Sequence, residues 1–186
     1  MYIDDIRAYV PRSPAEEADK AQILDYIARY PHTILTRENP IAHITASGFI
    51  LSRDGQWVLM AHHNLYRVWA WTGGHADGEA DLLAVALREA REETGAGHIV
   101  PLSEQIASVE ILPVWGHVKR GRYVCAHQHL NVSYLLTADR EGPLTAREGE
   151  NTGVAWLPAD RLLELTCEWQ MDEVYTKLLE RGRALL

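Results

Sequence analysis

In the segment from residue 73 to 95, a glycine pair precedes the pattern of a helix with a capping residue at each end. Asp81 has the side chain of a helix N-cap, and Gly95 is typical of a left-handed C-cap. Between these caps, apolar residues recur at i, i+3, i+4 and i+7, namely Leu83, Ala86, Leu87 and Ala90. The pattern predicts a helix over residues 81–94 with one face buried in the core.

The other face of the predicted helix carries three carboxylates. Glu89, Glu92 and Glu93 lie at i, i+3 and i+4, so that they repel one another, and the negative end of the helix dipole adds to their cost. A bound cation would remove this cost, and a ligand set made only of oxygen suits Mg²⁺ or Mn²⁺. The alternative is a solvated acidic face that Arg88 and Arg91 partly neutralise.

Strand patterns lie on both sides of this helix. The runs 43–52 and 56–62 flank Asp54-Gly55, a strong hairpin signal. Further strands are predicted at 67–72, 106–118, 122–127, 128–138 and 154–157, and a last helix at 168–185. This order predicts an α/β (α+β) fold in which a mixed β-sheet is sandwiched between helices, and the length of 186 residues favours a single domain over 1–186.

A helix is also predicted before the first strand. Ser13 is its expected N-cap, Pro14 its first residue, and Glu16 would complete a capping box. Pro31 would end it.

Composition limits the partners of the chain. The net charge is −8, which disfavours binding to nucleic acid, and no apolar run reaches the roughly 18 residues of a membrane span. The first twelve residues lack the layout of a signal peptide. Cys125 and Cys167 form no CxxC pair and are interpreted as reduced thiols, so we expect a cytoplasmic protein.

The predicted strand 128–138 and its N-terminal flank have polar residues on one face. His127, His129, Asn131 and Ser133 alternate with apolar residues. They either line a substrate cleft or form a hydrogen-bonded or exposed sheet face. Their spacing does not indicate zinc, because no third ligand follows at a recognisable distance. His75, beside the glycine pair, is a candidate phosphate contact.

The segment as a whole resembles the Nudix box, in which a glycine precedes by fixed offsets a glutamate and then an R-E-U-x-E-E-x-G-U helix, where U is apolar. The matching positions are Gly74, Arg88, Glu89, Ala90, Glu92, Glu93, Gly95 and Ala96. Ala80 stands where the box has its first glutamate, so a bracing contact is expected from Glu79 or Asp81 instead. The resemblance implies a Nudix core over 43–165, with an N-terminal helical extension at 1–42 and a C-terminal helix at 166–186.

The resemblance also implies a reaction. Nudix hydrolases cut a phosphoanhydride bond in a nucleoside diphosphate linked to another moiety X, using a water molecule activated by Mg²⁺. By position, Glu92 and Glu93 would bind the metal ion, with Glu89 as a ligand or a base, and Arg88 would orient a glutamate. The backbone carbonyl of Gly73 would be a further ligand.

The remaining expectations concern the base and the substrate. Glu150 is the favoured general base in the loop 147–151, ahead of Glu148. The predicted substrate-binding residues are His75, His127, His129 and Asn131. The substrate would be a small nucleotide-type molecule, and the terminal helices could pair two chains in a homodimer.

Two other functions are compatible with the same fold. A Nudix-like sensor binds a nucleotide metabolite without cleaving it, and only Ala80 favours this alternative. Isopentenyl diphosphate isomerase needs a cysteine just before the residue that corresponds to His75, where this chain has Gly73-Gly74. An assay with Mg²⁺ and a panel of nucleotides separates hydrolase from sensor.

Overall fold

The computed structural model describes residues 2–119 and 121–186. The helices are α1 (Tyr2–Ala8), α2 (Pro14–Arg29), α3 (Leu82–Thr94), α4 (Leu162–Thr166) and α5 (Asp172–Arg183), with 3-10 turns at Ala159–Arg161 and Trp169–Met171. The strands are β1 (Ala42–Ser52), β2 (Trp57–His63), β3 (Trp69–Ala70), β4 (Thr72–His75), β5 (Val100–Pro101), β6 (Ser108–Val114), β7 (His117–Lys119), β8 (Arg122–Val124), β9 (His127–Ala138) and β10 (Asn151–Pro158).

Eight strands form one mixed sheet. Its central order is β10-β2-β1-β9-β5, while β3 pairs with β2, β4 with β1, and β6 with β9. Strands β1 and β9 are parallel, from Ala42 opposite Gln128 to Ser52 opposite Ala138, and the other pairs are antiparallel. Strands β7 and β8 form a separate hairpin. The predicted class, a mixed sheet between helices, is confirmed.

Strand β1 lies at the centre of the core and is buried along its whole length. On one face, Ile44 and Ile50 belong to the cluster that α2 and α3 complete. On the other face, Phe49 and Leu51 pack in a cluster with α5. Burying a side chain of this size contributes about 1.5–3 kcal/mol. The two apolar faces therefore hold helices on both sides of the sheet.

Glu16 does not complete the predicted capping box. Ser13 caps α2 as expected, because its Oγ accepts from the backbone N–H of Glu16 at 3.2 Å. The carboxylate of Glu16 instead accepts from the backbone N–H of Arg12 at 2.8 Å and turns into the protein, where it is 1% exposed. Tertiary partners explain this difference: Lys177 and Arg181 of α5 lie 2.9 and 2.8 Å from its Oε1.

Other local differences are small. The predicted strand 67–72 is two short strands, β3 and β4, and the second continues to His75. Helix α1 and the two-residue strand β5 carry no sequence signal that we recognised. Cys125 and Cys167 are unpaired, as predicted, and both are exposed. None of the helices among the described residues is long and apolar enough to cross a membrane.

Candidate active site

Helix α3 presents the three glutamates because its ends and its apolar face are fixed. The Asp81 carboxylate accepts from the Ala84 N–H at 3.0 Å, and Gly95 ends the helix with a φ of 62°. Ala86 and Ala90 of the predicted stripe are buried. Both predicted caps are confirmed, and the last turns of α3 point their carboxylates toward β4 and the loop 147–151.

Glu93 is the most enclosed of the three carboxylates. One of its oxygens accepts from the Gly73 N–H at 3.2 Å, and the other accepts from the Asn151 amide at 3.3 Å. Burial raises the pKa of Glu93 to about 8, and the neighbouring charges of Glu89 and Glu150 add to this effect against the two hydrogen bonds. The site thus holds a carboxyl group that needs a nearby cation to ionise fully at neutral pH.

Arg147 lies among the remaining carboxylates. Its Nη1 is 3.0 Å from Glu92 Oε2, 3.3 Å from Glu89 Oε2 and 3.4 Å from Glu150 Oε2. One guanidinium nitrogen therefore stands where a cation would balance three acidic side chains. Sequence reasoning selected the loop 147–151 for its acidic residues and missed Arg147, whose position depends on how the loop meets α3.

The predicted catalytic residues are therefore brought together. Arg88 contacts Glu89 Oε1 at 3.1 Å, which agrees with an orienting role for this arginine. Glu150 shares Arg147 with Glu89 and Glu92, so the loop does reach the carboxylate cluster. The roles of these residues stay predictions.

The loop that carries Ala80 is braced in two ways. Glu79 Oε1 accepts from the Asp81 N–H at 2.9 Å, a local contact of the kind expected from the shifted glutamate. A longer brace comes from the N-terminal extension, where Arg37 makes two hydrogen bonds of 2.9 and 2.6 Å to Asp77. The loop therefore has one internal hydrogen bond and one exposed ion pair to the N-terminal extension.

Asn131 lies in a buried hydrogen-bond network and is 1% exposed. Its Oδ1 accepts from Thr45 Oγ1 at 3.0 Å and Ser47 Oγ at 2.8 Å. Its Nδ2 donates to Glu110 Oε2 at 3.3 Å and to Ser133 Oγ at 3.0 Å. These bonds join β1, β9 and β6 and use the full capacity of the amide. A substrate contact by Asn131 stays a prediction that no finding tests.

The other three predicted substrate-binding residues lie close together. The ring centroids of His75 and His129 are 4.9 Å apart, and those of His127 and His129 are 5.1 Å apart. His43, which sequence reasoning did not select as a site residue, completes the group and is buried. Burial is the main reason that the pKa of His43 is lowered. The alternation of polar and apolar residues along β9 predicted that His127 and His129 share a face. His43 and His75 lie on other strands, so this pattern could not identify them.

Comparison with known proteins identifies the family of this chain. A family model described as the NUDIX domain matches residues 42–178, well over half of the chain. The chain belongs to the Nudix family. The match begins at the start of β1 and continues into α5. A search of curated protein sequences found no match.

Solved structures have the same Nudix fold at low identity. The dihydroneopterin triphosphate pyrophosphohydrolase of E. coli has a TM-score of 0.55 and 16% identity, with 74% of this chain and 94% of that chain covered. The Ap4A hydrolase of C. elegans has a TM-score of 0.53 and 17% identity, with 76% of this chain and 95% of that chain covered. The Nudix domain of Shewanella oneidensis NrtR, crystallised with ADP ribose, has a TM-score of 0.50 and 18% identity. The match covers 84% of this chain and 96% of that chain. At these identities the likeness shows the fold alone.

Replacement of Gly74 tests the close packing of this Nudix site. A Cβ at Gly74 would lie 2.5 Å from Glu89 Cδ and 2.8 Å from its Oε2, so an alanine must displace the carboxylate. Because a displacement of about 1 Å can cost up to 10²-fold, we expect Gly74→Ala to lower kcat by about 10- to 100-fold. The fold should persist, because the displaced group is the end of a flexible side chain.

The matched control is Gly97→Ala, because a Cβ at Gly97 meets nothing within 4 Å among the described residues. Steady-state kinetics and thermal unfolding of both variants check the expectation. Equal kcat values for Gly74→Ala and Gly97→Ala would show that activity does not depend on the observed position of the Glu89 carboxylate.

Proposed function

We propose that this Nudix protein is a Mg²⁺-dependent hydrolase that cleaves a phosphoanhydride bond in a nucleoside diphosphate linked to another moiety. The observation that carries the proposal is the convergence of Glu89, Glu92 and Glu150 on one guanidinium nitrogen of Arg147. Glu93 lies beside them, with its carboxyl held by Gly73 and Asn151. A purely solvated acidic face would not bury one of its carboxyl groups.

The donor set fits a hard divalent cation. Carboxylate oxygens are the preferred ligands of Mg²⁺ and Mn²⁺, and nitrogen or sulfur ligands would be expected for zinc. The position of Arg147 supports the fit, because a positive group already lies 3.0–3.4 Å from three carboxylates. Glu92 and Glu93 would hold the ion, with Glu89 as a third ligand and the Gly73 carbonyl as a candidate fourth.

In this reaction water attacks a phosphorus atom that is surrounded by negatively charged oxygens. A divalent ion bound there would neutralise the phosphate oxygens and acidify a water molecule. Glu150 is the proposed general base that accepts the proton of that water, and Arg88 orients Glu89 through their 3.1 Å contact. Arg147 can exchange its carboxylate partners for phosphate oxygens, which an arginine fork binds well. The proposed substrate contacts are the partly exposed His75, His127 and His129. A contact by Asn131, which is 1% exposed and fully hydrogen-bonded, would require the network inside the sheet to open.

The alternative is a Nudix-like domain that binds a nucleotide metabolite without cutting it. Ala80 favours this function, because the chain lacks the first glutamate of the box. One of the similar structures is a Nudix domain complexed with ADP ribose, a ligand of the same chemical class. The presence of Glu89, Glu92 and Glu93 supports hydrolysis instead.

A substrate panel tests the proposal. The protein with Mg²⁺ would be incubated with dinucleoside polyphosphates, nucleotide sugars, ADP ribose and nucleoside triphosphates, and the products identified by chromatography. We expect at least one compound to be cleaved at its phosphoanhydride bond, and cleavage to stop in EDTA and return with Mg²⁺ or Mn²⁺. Cleavage in H₂¹⁸O should place the label on a phosphate product, because water attacks phosphorus. Binding of a panel compound without turnover would contradict the proposal and favour the sensor.

A further inference from the structure

We propose that His43, His75, His127 and His129 form a second metal site that binds a transition metal ion, Zn²⁺ in the first place. The site is distinct in chemistry from the carboxylate cluster, because all four donors are imidazole nitrogens. Its evidence is the geometry of three neighbouring strands.

The sheet brings the four histidines to one face. His43 of β1 lies opposite His129 of β9, and His75 of β4 lies opposite Thr45, one pleat further along β1. His127 and His129 share a face because they are two residues apart on one strand. One ligand nitrogen from each of the four histidines lies within 4.8 Å of the other three.

The spacing is close to that of a bound ion. Zinc–nitrogen bonds are about 2.0–2.1 Å long, so tetrahedral ligands stand about 3.3–3.4 Å apart. The Nε2 atoms of His127 and His129 are already 3.3 Å apart. The other nitrogen–nitrogen distances are at most 4.8 Å, so each must shorten by about 1.5 Å at most to reach this spacing. His75, His127 and His129 are partly exposed, so their side chains have room to rotate toward the buried His43.

Two of the rings are oriented by backbone carbonyls. His43 Nδ1 lies 3.1 Å from the Asn39 carbonyl, and His127 Nδ1 lies 2.8 Å from the Cys125 carbonyl. A ring that donates from Nδ1 presents a lone pair at Nε2, which is the usual arrangement around a metal-binding histidine. The Nε2 atom of His127 lies 3.3 Å from His129 Nε2, inside the cluster, and Nε2 is the nitrogen that His43 has available for a metal ion.

The Nε2 atom of His43 gives the second, independent observation. It is buried and has no hydrogen-bond partner among the described residues. His43 as a whole is 4% exposed, so water does not reach it freely. A buried polar atom without a partner costs about 1–3 kcal/mol, and such atoms are rare in native proteins. A metal ion at the centre of the cluster supplies the missing partner.

The donor set selects the ion. Imidazole nitrogens favour Zn²⁺, Ni²⁺ and Cu²⁺, whereas Mg²⁺ requires oxygen. Four protein ligands leave no open position on a tetrahedral ion, so the site is structural. Metal binding by His75, His127 and His129 would replace the substrate contacts proposed for these three residues. It joins β1, β4 and β9, and His75 lies only two residues beyond Gly73. The bound ion would therefore hold the strand that carries the glycine pair of the carboxylate site.

Cobalt binding tests the site without relying on hydrolysis. Chelator-treated protein would be dialysed against Co²⁺ or Zn²⁺ with excess Mg²⁺, which occupies the carboxylate cluster. We expect one Zn²⁺ per chain by elemental analysis, and visible Co²⁺ absorption typical of tetrahedral nitrogen ligation. Because only the folded chain assembles the four ligands, Zn²⁺ at 100 times its Kd should raise Tm by about 5–10 °C.

The test variants are His127→Gln and His129→Gln, which remove partly exposed ligands, and the control is His32→Gln in an exposed loop. Each test variant should bind Zn²⁺ at least tenfold more weakly and give an altered Co²⁺ spectrum, because water replaces one nitrogen ligand. The control should keep the original affinity and spectrum. Circular dichroism of the metal-free proteins checks that each variant folds.

Three results would overturn the inference. The first is the absence of stoichiometric binding by the unsubstituted protein. The second is unchanged affinity in both test variants that fold. The third is a near-ultraviolet thiolate band in the Co²⁺ complex, which would assign the ion to Cys125 or Cys167, the exposed thiols. If one variant fails to fold, the other decides the outcome.

Discussion

Glu93→Gln should lower kcat by about 10²- to 10³-fold at saturating substrate and Mg²⁺, because it removes a charge that balances the cation. The substitution keeps the shape of the side chain and an acceptor for the Gly73 N–H, which Glu93 binds at 3.2 Å. Loss of activity would therefore report the charge and not a collapsed loop. Glu104→Gln, at an exposed glutamate, is the matched control and should keep the original kcat. A decrease of less than tenfold in Glu93→Gln would remove this residue from the set of metal ligands.

The same variant should be the more stable protein when metal is absent. Burial, with the charges of Glu89 and Glu150, raises the pKa of Glu93 to about 8 from its ordinary value of 4.5. Between these two pH values the folded state holds a proton that the unfolded state releases. The resulting contribution to the free energy of unfolding is full below about pH 4.5 and is lost as the pH rises through 8. In EDTA at pH 8.5, Glu93→Gln should unfold at a Tm about 2–6 °C higher than the unsubstituted chain. A lower Tm for the variant would show that the charged carboxylate is not strained there.

Glu16→Gln is expected to destabilise the fold by about 3–5 kcal/mol, the range found when one partner of a buried ion pair is removed. The Glu16 carboxylate lies 2.9 Å from Lys177 Nζ and 2.8 Å from Arg181 Nη1, and it also accepts from Tyr9 Oη at 2.7 Å. An amide leaves the two cations poorly balanced. At about 2–4 °C per kcal/mol for a chain of this size, Tm should fall by about 6–20 °C in thermal unfolding.

The pH dependence gives a second check on Glu16. Burial alone would raise its pKa, but hydrogen bonds from Arg181, the Arg12 N–H, Lys177 and Tyr9 lower it below the ordinary value. A lowered pKa contributes stability above about pH 4.5, the unfolded value, and this contribution is lost as the pH falls further. Glu16→Gln should therefore show a shallower loss of Tm below pH 4.5. Glu17→Gln, exposed on the same helix, should match the unsubstituted chain; equal Tm values for both variants would rule out the network as a major source of stability.

The features that sequence reasoning predicted well depend on contacts within a few residues. Asp81 and Gly95 bound α3 as expected, since a helix cap is a local interaction. The alternation along β9 placed His127 and His129 on one face, because the period of a strand is a property of its backbone. The glutamates of α3 were found for the same reason and because the box has fixed offsets.

The features that it missed depend on residues far apart in the chain. Arg147 reaches Glu89 across 58 positions, and no local pattern encodes that meeting. His43 meets His129 only because β1 and β9 run parallel in one register. Glu16 has the spacing of a capping box, and its tertiary partners on α5 outweigh the local bond. In each case the deciding contact is created by the fold.

Glu16 lies outside the region that the family model matches, but it contacts Ser108 inside that region. The family match ends at residue 178, before Arg181, and begins at residue 42, after Glu16 and Arg37. A chain cut to residues 42–178 would keep every carboxylate of the box, but it would remove Glu16, which accepts from Ser108 Oγ, and Arg37, which binds Asp77. The region matched by the family model is therefore stabilised, in this protein, by contacts from the segments on both sides of it.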